Sequence, residues 1–258
     1  MMEWINLIPA FLLVFVRVLA FFVVMPIFSY RNIPNQFKIG LALIVAWIMF
    51  FTIDAPILAI DGTYFLLIVK ESLVGLTIGL VAMMMLYAIQ VAGGFIDMNM
   101  GFMIASAVDP NTGAQTPLFG SYFYTFALLY LLAVDGHHLL LDGVFYSYQF
   151  IPMEQLFLPF GEENVIYFIV TAFTQMFIIA FQMAIPIVGA LFLVDISLGM
   201  ISRAVPQMNV FVVGIPLKIT VGLILLTLYI GIFFFLVQQL FDQMLVTMRT
   251  LMQLLGGA

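Results

Sequence analysis

The chain contains no cysteine, which excludes disulfides, iron–sulfur clusters and cysteine-based zinc sites. Charge is scarce too: only 8% of its 258 residues are Asp, Glu, Lys or Arg, 7 basic against 13 acidic. A soluble domain carries about 25% charged residues, so this composition cannot cover a surface that meets water on every side. No basic run or basic helix face points to nucleic acid. The two histidines, His137 and His138, are adjacent, and with scattered carboxylates they make no convincing acid–base pair. GxSxG, HExxH, the P-loop and a GxGxxG that opens a helix after a strand are all missing. No catalytic residue is assigned, and the chain is expected to do no chemistry of its own.

What is abundant is apolar: 65% of residues are hydrophobic. They gather in stretches at about 5–28, 39–53, 64–90, 119–134, 164–194 and 217–241. At roughly 20 apolar residues per crossing, this predicts an all-α integral membrane protein of about six long hydrophobic helices. The 39–53 and 119–134 stretches are short for full spans, which leaves open hairpins that do not cross. No repeat, low-complexity tract or domain boundary interrupts the chain, so 1–258 reads as a single polytopic helical membrane domain. The N-terminus lacks a basic n-region and reads as a first membrane helix rather than a cleaved signal, with Trp4 and Tyr30 as interfacial anchors. Arg31, Lys38, Arg203 and Lys218 fall in two loops that six crossings place on one side, cytoplasmic by the positive-inside rule.

Three segments carry specific expectations. In KESLVGLTIGL (70–80), Glu71, Gly75 and Gly79 recur every four residues and share one helix face with a drift of about 40° per step. The glycine pair lets another helix approach closely in lipid. Glu71 on that face should turn into protein or a wet gap, paired with a cation, while Lys70 snorkels. In QVAGGFIDMNMGFMIASAVDP (90–110), Gly93 and Gly94 weaken the helix and Asp97 and Asn99 add polar groups. Irregular backbone at membrane depth must be buried in protein or line a cavity; an external loop is the other reading of 93–117. Met98, Met100 and Met103 are flexible enough to seal around a changing surface. In DISLGMISRAVPQMNVFVVGIPLK (195–218), Asp195, Gly199 and Arg203 share a face, so an Asp195–Arg203 attraction is feasible. Pro206 ends one helix and Pro216 pre-sets the next.

DGHHLLLD (135–142) is expected to be a helix-start turn with an Asp or Gly cap. Neighbouring histidines sit about 100° apart on a helix, so this pair is not expected to share a metal ion. No metal or other cofactor is expected.

Taken in order, KESLVGLTIGL, QVAGGFIDMNMG, VDPNTG, DGHH and the 195–218 segment resemble the FliR family, the R subunit of the flagellar export gate, related to the T subunit of virulence type III secretion. The resemblance spans about residues 70–218, with similar hydrophobic ends. It implies a multi-pass subunit of the bacterial inner membrane, at the flagellar basal body, that assembles with FliP and FliQ into the export gate near FlhB and FlhA and passes unfolded export substrates. It further implies a loop that plugs the closed pore, carried here by Ser106, Ala107, Val108, Asp109, Pro110, Asn111, Thr112, Gly113, Ala114, Gln115, Thr116 and Pro117. Membrane lipid and the neighbouring subunits are then the partners of the packing residues Glu71, Gly75, Gly79, Gly93, Gly94, Asp195, Arg203 and Lys218. The alternative is a small secondary transporter whose broken helices, at 93–117 and 195–216, hold a solute at the bilayer midplane.

Overall fold

In lipid every backbone amide must be satisfied within its own segment, and long apolar runs therefore close into helices. The computed structural model describes residues 2–30, 33–53, 55–102, 117–207 and 209–257, with side chains from residue 6 onward. Among the described residues there are seven helices and no strand: α1 (Met2–Val24), α2 (Asn35–Phe50), α3 (Gly62–Met100), α4 (Leu118–Ala133), α5 (Gly136–Phe150), α6 (Glu163–Ala204) and α7 (Val210–Gly256). Asn6–Val24 of α1 and the whole of α3, α6 and α7 are long and apolar enough to cross a membrane; counting the bent pair α4–α5 as one span would bring these four to five. At 16 residues α2 stays short, about 24 Å at 1.5 Å per residue against a hydrocarbon core of about 30 Å.

Local chemistry sets several helix ends. Asp61 caps α3: its Oδ1 accepts from the Thr63 hydroxyl at 2.5 Å and from the Thr63 and Tyr64 amides at 3.0 and 3.1 Å. The Thr63 hydrogen bond, helped by the Tyr64 amide, holds that carboxyl below the usual carboxylate range. Pro34 and Pro117 stand immediately before α2 and α4. Gly101 follows α3 with φ +87°, the left-handed conformation in which helices commonly terminate.

The helices depart from the sequence expectation in three places. Gly93 and Gly94 do not break α3, which continues to Met100. α6 likewise runs on through Asp195, Gly199 and Arg203 to Ala204, so the interruption narrows to 205–209, and Pro216 lies inside α7 rather than at its start. The third departure is the extent of α5, which runs from the expected helix start at DGHH on to Phe150, with Leu140, Val144 and Tyr148 buried at four-residue spacing.

Contacts gather the chain into two compact units. One comprises 1–85, 135–173 and 242–258; the other comprises 86–134 and 174–241. In the first, α1 and α3 run parallel: Tyr64 donates to the Pro9 carbonyl at 3.0 Å, and Gly79 meets Phe21 and Val24. Leu13, Tyr64 and Leu67 form a small core there. Phe11 packs edge-on against Trp47 and Phe50 of α2, and the Gln155 amide reaches the Leu255 carbonyl at 3.0 Å. In the second, Tyr87 meets Tyr124 and Gly94 meets Pro117, an antiparallel hairpin of α3 and α4. The Tyr229 hydroxyl reaches the Met183 carbonyl at 2.7 Å and Gly214 meets Leu198, so α6 and α7 are antiparallel. Phe123 stacks on Phe233 and Tyr130 on Phe241, which sets α4 parallel to α7.

Candidate functional site

Three charged side chains of the first unit form a buried cluster. Arg17 and Glu71 are both 0% exposed and Lys70 is 3% exposed. The Arg17 Nε–H donates to Glu71 Oε2, and Nη2 donates to Oε1 at 2.8 Å, a bidentate fork that fixes the geometry of both partners. Arg17 also donates to Ser147 Oγ at 2.8 Å and to the Ile151 carbonyl at 3.0 Å, and its guanidinium lies 3.6 Å from the centroid of the Tyr148 ring. Tyr148 gives its hydroxyl hydrogen to Glu71 at 3.2 Å. Lys70 does not snorkel: its Nζ donates to Glu71 at 2.5 Å and to the Pro152 and Met153 carbonyls at 3.0 and 3.1 Å.

The same face of α3 then meets α1 through glycine. A Cβ on Gly75 would overlap the Arg17 carbonyl oxygen, and one on Gly79 would lie 3.2 Å from the Phe21 carbonyl oxygen. Glu71, Gly75 and Gly79 therefore act as one surface. Sequence reasoning asked for a cation beside Glu71 but missed Arg17. A lone arginine amid LLVFVRVLAFF is the signal, since lipid penalises a charge at that depth unless it is paired.

In the second unit, Gly93 meets Gly120 so closely that a Cβ on Gly93 would overlap the Gly120 backbone. Asp97, 2% exposed, accepts the Phe119 amide at 3.0 and 3.2 Å. Met100 is fully buried and packs on Gly222, where a Cβ would come within 2.5 Å of its Cε, whereas Met98 is 61% exposed. Of the segment expected to plug a pore, Pro117 is described, immediately before α4; Ser106 to Thr116, together with Met103, lie outside the described residues.

Asp195 pairs with Lys218 at 2.9 Å rather than with Arg203, because α7 returns beside α6 and brings Lys218 alongside. The Asp195 side chain is 43% exposed, and a pair this open contributes about 0.2–1 kcal/mol. Lys218→Met should accordingly lower the thermal midpoint of the purified protein only slightly; a drop as large as that expected at Glu71 would contradict this.

The DGHH turn starts a helix, as expected, with Asp135 in the cap position, but the carboxylate does not do the capping. Asp135 precedes α5 in the left-handed conformation (φ 57°), and its side chain makes no capping hydrogen bond. The His137 and His138 rings lie 4.0 Å apart, since no preceding helical turn confines their χ1 angles. Donor atoms of Asp135, His137 and His138 fall within 4.8 Å of one another, so the two adjacent histidines do face a common point, against the expectation drawn from their spacing along a helix.

Fold and buried cluster together define a polytopic α-helical membrane protein. Within that class, the chain belongs to the family described as bacterial export proteins, family 1, matched over residues 8–244. It is 54% identical to the flagellar biosynthetic protein FliR of Bacillus subtilis (strain 168), over 98% of each chain. Similarity extends to the Yop proteins translocation protein T of Yersinia pestis, 32% identical over 83% of this chain and 82% of that one. FliR of Escherichia coli (strain K12) is 27% identical over 87% and 85%.

Proposed function

We propose that the chain is a subunit of the flagellar type III protein export gate in the bacterial inner membrane, at the flagellar basal body. In this reading it works as one polytopic membrane domain and, with FliP and FliQ, forms the pore through which unfolded flagellar proteins leave, close to FlhB and FlhA. It does no chemistry and holds no cofactor. The observation that carries the reading is the 54% identity to a flagellar FliR along nearly the whole of both chains. Large apolar side chains left exposed on α6 and α7, among them Tyr167 (72%), Phe211 (81%) and Leu228 (75%), support it, since exposed apolar faces of this extent mark contact with lipid or other subunits. The transporter alternative draws less support: of the stretches it needs broken, 93–117 and 195–216, α3 continues to Met100 and α6 to Ala204.

The loop at 106–117 plugs the closed pore in this reading. Its test is deletion of 106–116; Pro117 stays because its ring packs on Gly94 and it leads into α4. The deletion should leave the protein assembled with its membrane partners and make the membrane leaky to small ions. Tight membranes with normal export would remove the plug from the mechanism.

A further inference from the structure

Asp97 is a buried carboxylate in a helix long and apolar enough to cross a membrane. Charges in that setting are costly and are kept for a purpose. Among the described residues no cation pairs with it. Its partner is instead a backbone amide, the Phe119 N–H, at 3.0 and 3.2 Å from the two carboxylate oxygens. Leu118, Phe119 and Gly120 open α4, where amides lack partners within their own helix and the helix dipole presents its positive end. Pro117, just before them, supplies no side-chain cap, so α4 takes its cap from another helix.

Glycine makes this reach possible. Gly93 lies against the Gly120 backbone, and a Cβ on Gly120 would stand 2.8 Å from the Gln90 carbonyl oxygen. Phe102 meets Phe119 edge-on at 5.6 Å. The end of α3 and the start of α4 are thus joined by one carboxylate and a small-residue contact.

We propose that Asp97 is a positioning residue of the export path, a latch that clamps the first turn of α4 to α3 and holds the gate closed. The proposal rests on the plug reading above. A terminal cap can release without unfolding either helix, which suits a contact that must open and re-form.

The test uses cells carrying the whole export system, with leak read as decay of an imposed proton gradient in their membrane vesicles. Asp97→Ala should assemble and leak; Asp97→Asn, which keeps an acceptor oxygen but not the charge, should leak less. Rescue separates a latch from general damage. A Cβ at position 94 would lie 3.9 Å from that of residue 117, close to the spacing in a disulfide, and the chain has no other cysteine. Oxidised Gly94→Cys/Pro117→Cys should therefore abolish the leak of Asp97→Ala, and reduction should restore it. On the Asp97 background the same crosslink should block export until reduced, a readout that survives if Asp97→Ala fails to accumulate. If deletion of 106–116 does not leak, the plug reading itself fails. If that deletion leaks while an assembled Asp97→Ala stays tight, or export continues through the complete crosslink, the latch alone is wrong.

Discussion

Replacing Glu71 with leucine should destabilise the protein by about 3–5 kcal/mol, the range for removing one partner of a buried ion pair. The cause is less the lost attraction than what remains. Arg17 and Lys70, 0% and 3% exposed, would face each other without the carboxylate that both contact. Glu71→Gln keeps the shape and one acceptor oxygen, so it should fall between wild type and leucine. Arg17→Leu should cost less than Glu71→Leu, because Lys70 still pairs with Glu71, although Ser147 Oγ and the Ile151 carbonyl lose their donor. The double variant should be less unstable than the two single effects added, as coupled neighbours are. Thermal unfolding of the detergent-purified protein measures all four. Additive effects, or a Glu71→Leu midpoint near wild type, would show that the cluster is not the energetic centre of its unit.

Gly75→Ala carries the second large effect, and its sign depends on two opposed contributions. Alanine favours a helix interior by about 1 kcal/mol over glycine. Against this, the new methyl would overlap the Arg17 carbonyl oxygen and sit 2.9 Å from Ala20 Cβ. Overpacking of this kind costs about 1–3 kcal/mol, and a backbone carbonyl inside α1 cannot swing aside as a flexible side chain can. The expected result is a net loss, together with disturbance of the ion pair that starts from the same residue, Arg17. Gly199→Ala is the control. A Cβ there meets nothing within 4 Å, so the propensity gain stands alone and the isolated chain should be unchanged or slightly more stable. If both variants behave alike, close approach of α1 and α3 is not what Gly75 provides.

Why Glu71, Gly75 and Gly79 were legible in the sequence while Arg17 and Asp97 were not follows from range. The first three are related by helical periodicity, a property of eleven consecutive residues. Arg17 becomes meaningful only beside a partner 54 positions away, and Asp97 only beside an amide 22 positions away. The long apolar spans were plain because composition alone marks them. Only the start of α5 was legible, because the polar His137, His138, Asp142 and Gln149 mask the buried Leu140–Val144–Tyr148 line that carries it on. The supposed breaks at Gly93 and Asp195 failed for a related reason. Glycine weakens a helix taken alone, yet here Gly93 earns its place by admitting Gly120, and the partner could not be seen from the local pattern.

The separation of Arg17 from Glu71 also bears on how the protein is made. At about 5–20 residues per second, a ribosome takes roughly 3–11 s to add the 54 residues between them. α1 therefore leaves the ribosome well before its counter-ion exists. Newly made α1 must wait with a bare guanidinium, held at the insertion machinery or the lipid headgroups, until α3 arrives and the two helices can enter the bilayer core as a neutralised pair.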